Sequence, residues 1–217
     1  MARPTALVRL VVLACTGVYT VLLFVSGAEL TTVASRIVAM LPFISGAAVL
    51  LWDAWLWRIP GLQQLTHRPS IRGLWRVTLT PTAESHIPPG GNRGPIVAYF
   101  VIRQTFWSLS VRSLTKESTS DSQAFFWNLR QNTDVSTLTY TFENTPKMSE
   151  SSRSPRSLGT SRLDPTSMSP TEMVGDYFTD RYTKGDITAE LVDRSRGHAS
   201  FDAADKHWTE SVARQAG

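Results

Sequence analysis

The chain divides by the period of its apolar residues. Residues 7–25 are apolar almost throughout, broken by Arg9, Thr16, Gly17 and Thr20. A second run covers 37–57, with Asp53 as its charge near the far end. About 20 such residues, rising 1.5 Å each, cross a bilayer's hydrocarbon core, so each run is read as a membrane helix. Pro42 and Gly46 are tolerated in such helices. Residues 26–36 form a short link, and the pair reads as a helical hairpin.

From residue 72 the period falls to two. Gly73, Trp75, Val77 and Leu79 share one face of a strand over 72–79, because strand side chains alternate. Further strands are predicted over 96–105, 106–114, 123–131, 136–144, 158–163, 173–181 and 187–192. Turn signals separate them: the Pro/Gly-rich 81–95, the hydroxyl-rich 115–122, Asn132-Thr133-Asp134 and Lys184-Gly185-Asp186. About eight short strands without helical pattern between them indicate an antiparallel barrel or sandwich. Closure removes exposed edges, and eight strands just hold a small ligand. The expected organisation is a two-helix transmembrane hairpin (1–58), a linker (59–71), a small antiparallel eight-stranded β-barrel (72–194) and a polar tail (195–217) with a short helix over 202–214. Residues 147–170 are rich in Ser, Arg and Pro and read as a linker, with the strand over 158–163 inside it.

The strand over 173–181, M-V-G-D-Y-F-T-D-R, carries the most chemistry. Gly175, Tyr177, Thr179 and Arg181 fall on one face; Val174, Asp176, Phe178 and Asp180 fall on the other. A small residue, an aromatic, a hydroxyl and a guanidinium in a row suit a planar, phosphate-bearing ligand. The ring stacks, the hydroxyl bonds, and the Arg fork pairs with phosphate. The same alternation also describes an amphipathic strand with its polar face in water.

Charge orients the hairpin. Arg3 and Arg9 precede the first run; Arg58, Arg68, Arg72 and Arg76 follow the second; the link has Glu29 and, at its end, Arg36. The positive-inside rule puts both ends and the barrel in the cytoplasm, with Trp52, Trp55 and Trp57 at the interface. A cleaved signal peptide ending at Ser26-Gly27-Ala28 and a lipoprotein box at Val12-Leu13-Ala14-Cys15 are the rival readings of the first run. Under either, the second run still returns the chain inward. Asp53 is read as an interfacial residue or as one facing a multimeric pore.

A single cysteine excludes an internal disulfide and a cysteine-based zinc site. There is no H-E-x-x-H and no G-x-S-x-G, and the P-P-G-G-N-R-G-P loop lacks the Lys-Ser/Thr ending of a P-loop. His67, His86, His198 and His207 fall in loops or the tail and are expected to be solvated. The reading is a binding protein, not an enzyme, with no cofactor and no metal site.

Several motifs follow the hairpin in a fixed order: Arg72-Gly73-Leu74-Trp75; Gln104 with Phe106 and the Ser118/Ser120/Ser122 alternation; Tyr140 through Asn144-Thr145-Pro146; and Gly175 to Arg181 followed by Thr183 and Gly185. Together they resemble the two-transmembrane, β-strand-rich effectors of bacterial CBASS (cyclic-oligonucleotide-based anti-phage signalling) systems, over residues 1 to about 194. The resemblance implies a lipocalin-like cup that binds a cyclic dinucleotide made by a partner nucleotidyltransferase. It further implies homo-oligomerisation on activation, disruption of the bacterial inner membrane and abortive infection, with no DNA or RNA polymer as partner. Carried over, Tyr177, Thr179 and Arg181 line the cup, Tyr140 and Asn144 lie on the neighbouring inner face, and Gln104, Ser120 and Trp75 are nearby. Ser157 departs from the pattern, which has a His two residues before Gly159. The alternative on the same shape is a membrane-tethered carrier of lipid or another apolar ligand.

Overall fold

A computed structural model describes residues 14–23, 33–87, 89–129, 135–194 and 198–216; for 33–39, 41, 43, 215 and 216 it describes the backbone alone. Arg3, Arg9, most of the link over 26–36 and the turn at Asn132-Thr133-Asp134 lie outside the described residues. The chain forms two units, Met1–Leu62 with Thr105–Ser108, and Gln63–Gln104 with Leu109–Gly217.

The first unit is helical over 14–23 and in helix α1 (Val33–Ala54), which contains Pro42. Among the described residues no helix is long and apolar enough to cross a membrane. The hairpin expected from the two apolar runs is therefore not shown by them. Asp53 has a local role. Its carbonyl accepts the Phe106 N–H at 3.0 Å and the Trp57 indole N–H at 3.2 Å, and its carboxylate accepts the Trp107 N–H at 3.0 Å. The Phe106 ring meets Trp52 edge-on, with centroids 5.5 Å apart.

The second unit is built on eight strands: β1 (Gly73–Pro81), β2 (Ile96–Gln104), β3 (Leu109–Leu114), β4 (Ser118–Leu129), β5 (Ser136–Pro146), β6 (Ser157–Pro165), β7 (Glu172–Thr179) and β8 (Lys184–Asp193). Each pairs antiparallel with the next, and β8 returns to β1, closing the barrel. Alternation decides what points inward. Trp75, Ile102, Leu138, Leu163 and Met173 fill one end and are fully buried. A strap over 69–71 covers that end. Gln104 holds it, accepting the Ile71 N–H at 2.8 Å and donating to the Pro69 carbonyl at 2.9 Å. The Trp75 indole N–H donates to the Ile71 carbonyl at 2.8 Å. Arg194 adds bonds to the Ser70, Arg72 and Pro170 carbonyls, each near 3.0 Å.

Three expectations change. The predicted turn over 115–122 is a turn only to Glu117, because Ser118, Ser120 and Ser122 begin β4. Their hydroxyls resemble turn chemistry, yet strand alternation aims them inward toward polar space. Ser122 accepts the Val111 N–H at 2.9 Å, and a register shift between Ser122 and Ala124 follows. Strand β7 stops at Thr179, so Arg181 lies in the β7–β8 turn, where Tyr182 takes φ 61°.

The polar tail is a longer helix than expected, α2 over Phe201–Ala216, seated on the outer face of the barrel. A narrow apolar stripe packs it against the barrel. Phe201 and Ala204 are buried against Leu74, Tyr99, Val101 and Leu114, and Trp208 packs beside them. The Tyr99 hydroxyl donates to Asp205 at 2.8 Å.

Candidate ligand-binding cup

The plugged end leaves a cavity of about 500 Å³ open at the other end of the barrel, where β1, β3, β5 and β7 finish. Leu79, Phe100, Val111 and Ile187 give it an apolar part of its lining. Tyr140, Phe142 and Tyr177 supply rings along the wall. Hydroxyls and an amide line it as well: Ser113, Ser120, Asn144, Ser161, Thr179 and Thr183. Lys116, Arg153 and Arg181 bring positive charge to the lining. The volume lies within the range of small-molecule sites, roughly 300–1,000 Å³.

Tyr177, Thr179, Arg181, Tyr140, Asn144 and Ser120 all line this cavity. Gln104 and Trp75 do not; they face inward at the plugged end and hold the strap. Sequence reasoning missed Arg153, Ser154, Ser157 and Ser161. Ser161 was readable from the alternation with Gly159 and Leu163. Arg153 and Ser154 sit in a Ser/Arg/Pro-rich stretch with no period, and only the folded chain brings them to the mouth. Ser157 occupies the wall in register with Asn144.

A family model described as the Cap15 cyclic dinucleotide receptor domain matches residues 66–190, more than half of the chain. The chain belongs to this family. It is the CBASS effector family that the ordered motifs resemble. No curated protein matches the chain. The match takes in β1 to β7 and most of β8, and hence every cavity residue named above.

Within this receptor domain two glycines make room for rings. A Cβ on Gly159 would collide with the Phe142 ring. A Cβ on Gly185, which pairs with Tyr177, would come 2.8 Å from the Tyr177 ring and closer still to the Thr80 carbonyl. Both rings therefore lie across neighbouring strands and present themselves to the cavity. Burial pushes the Tyr140 phenol far above its ordinary range; burial, then Asp186, raises that of Tyr177. Both stay neutral at physiological pH, able to donate and to accept.

The two mouth arginines differ. Arg153 meets Glu150 at 2.6 Å and Glu117 at 2.9 Å, and donates to the Gly90 carbonyl at 3.0 Å. Its charge is already balanced. Arg181 donates to the Ser154 hydroxyl at 2.8 Å and, more weakly, to the Pro155 carbonyl at 3.4 Å. Among the described residues no carboxylate pairs with it, so its charge is available to an anion. Beside it, the Thr179 and Thr183 hydroxyls share a 2.6 Å hydrogen bond, and Ser120 donates to Asn144 at 3.0 Å.

The receptor domain's plugged end gives a contrasting expectation. Gln104→Leu strands the Ile71 N–H and the Pro69 carbonyl in a dry site, at about 1–3 kcal/mol for each buried group left unpaired. Urea unfolding should show a loss of about 2–6 kcal/mol, with ligand affinity of the folded protein unchanged. A fall in affinity at full stability would move Gln104 into the site.

Proposed function

We propose that the chain is a membrane-anchored anti-phage effector. Its cytoplasmic barrel binds a cyclic dinucleotide released by a partner nucleotidyltransferase, bound barrels associate, and the concentrated N-terminal helices disrupt the bacterial inner membrane. The observation that carries the reading is the mixed lining of the cup, in which apolar residues, three aromatic rings and a set of hydroxyls share one cavity with the unbalanced Arg181 of the β7–β8 turn. A cyclic dinucleotide has two bases to stack and two phosphates to neutralise. Stacking on an aromatic contributes about 1–3 kcal/mol per base. Tyr177, Tyr140 and Phe142 are the rings offered, Arg181 the phosphate partner, and Thr179, Ser120 and Asn144 the hydrogen-bonding set. A cup plugged at one end admits a small ligand and cannot thread a nucleic-acid polymer. A carrier of lipid or apolar ligand has no use for this set of hydroxyls and these guanidinium groups.

The apolar runs over 7–25 and 37–57 and the arginines around them support membrane anchoring with both ends inside. Leu158 and Phe178 support association between barrels. They point outward on β6 and β7, and each is more than half exposed. Neighbouring exposed apolar groups of this kind mark interaction surfaces. Association would raise the effective concentration of the membrane helices.

The full chain reconstituted in liposomes with an entrapped dye tests this. Cyclic dinucleotide is expected to release the dye and to shift the detergent-solubilised protein to a larger assembly. Phe178→Asp is expected to keep binding while losing both effects. Sealed liposomes and a monomer at saturating ligand would overturn the effector mechanism.

A further inference from the structure

The described residues also bring together two imidazoles and a carboxylate at the opposite end of the barrel. Asp193 is the last residue of β8 and pairs with Leu74 at the start of β1. His207 lies on α2, one turn beyond the buried Ala204 and next to Trp208. His198 precedes that helix. The His207 Nε2 and an Asp193 carboxylate oxygen are in contact. The rings of His198 and His207 have centroids 4.8 Å apart at an interplanar angle of 45°. One ligand atom from each of the three residues lies within 4.8 Å of the others. None of the three is fully exposed.

This departs from the solvated histidines that the tail's composition suggests. An Asp193–His207 hydrogen bond would by itself hold α2 to β8, and it does not require His198. A second imidazole converging on the same carboxylate makes a three-donor set, for which a shared cation gives the favourable arrangement. We propose that Asp193, His198 and His207 form a binding site for a divalent transition-metal ion of the zinc type, which ties the C-terminal helix to the plugged end of the barrel.

Two imidazoles and one carboxylate suit zinc and its neighbours and do not suit magnesium or calcium, which take oxygen ligands. Zinc–ligand bonds of about 2.0–2.2 Å in a tetrahedron put donor atoms about 3.3 Å apart. Donors already within 4.8 Å reach that spacing through side-chain adjustment, with water in the fourth position. The ion would clamp three points of one segment: a strand end, the residues before the helix, and the helix itself. Because β8 ends away from the cup's mouth, metal binding and nucleotide binding should be independent.

The test uses the full chain in detergent, without a polyhistidine tag. After incubation with zinc chloride and desalting, it should retain about one zinc per chain, and the melting temperature should rise. Free zinc a hundredfold above Kd would give a shift of roughly 5–10 °C. Cobalt(II) in zinc's place should give the visible absorption of a tetrahedral site. His198→Ala, which lies outside the strands and helices, should keep the metal-free melting temperature and lose the zinc, the shift and the cobalt spectrum. Asp193→Asn should also lose the zinc, the shift and the cobalt spectrum. A wild type that retains no zinc, or a His198→Ala chain that retains as much as wild type, would overturn the site.

Discussion

Arg181→Ala is expected to weaken cyclic dinucleotide binding by about 10- to 150-fold, since a hydrogen bond to a charged group contributes about 1.5–3 kcal/mol and each 1.4 kcal/mol is tenfold. The barrel should stay folded. Arg181 sits in a turn, and its own partners are the Ser154 hydroxyl and, at longer range, the Pro155 carbonyl. Substitutions of that kind change stability by about 0.5 kcal/mol or less. Arg181→Lys should give an intermediate loss, because an ammonium keeps the charge and lacks the fork that grips phosphate oxygens. Added salt should weaken wild-type binding and have less effect on Arg181→Ala, as the variant has less electrostatic attraction to screen. Isothermal titration of the three proteins at two salt concentrations reads all of this. Unchanged affinity in Arg181→Ala would remove the guanidinium from the site.

Trp75→Ala should act on the frame. Its ring is fully buried at the plugged end, and its indole N–H satisfies the Ile71 carbonyl. Truncating a buried Trp costs about 3–5 kcal/mol, and whole domains are stable by only about 5–15 kcal/mol. A melting temperature lower by roughly 6–20 °C follows. Molecules that remain folded should bind ligand as wild type does. A variant that melts normally but fails to bind would show that Trp75 reaches the cup.

These two variants mark what the sequence makes legible. Period-two alternation predicts the strands, including β6 inside a Ser/Arg/Pro-rich stretch, and it groups Tyr177 with Thr179 and Tyr140 with Asn144 on shared strand faces, which the family resemblance turns inward. Alternation says which way a side chain points; it does not say how deep along the barrel it lies. Trp75 and Gln104 face inward, as Tyr177 does, but strand register puts them at the plugged end. Only the pairing of all eight strands sets that depth.

Ser118 to Ser122 read as a turn because hydroxyl-rich composition suits water. The water-like surroundings here are the inside of a cup. Arg153 was out of reach for a different reason. Its ion pair with Glu117 and its bond to the Gly90 carbonyl cross from one rim segment to others, with no local pattern behind them. The same holds for α2. Its sequence is polar, and it docks through one stripe of Phe201, Ala204 and Trp208 together with the polar contacts of Asp205 and His207.

The most direct measurement is calorimetric titration of the full, detergent-solubilised chain with a panel of cyclic dinucleotides, followed by recovery of the nucleotide. A receptor cup predicts saturable binding of at least one member, one ligand per barrel, with the ligand recovered intact. No binding by any member of the panel, or recovery of a cleaved nucleotide, would contradict it.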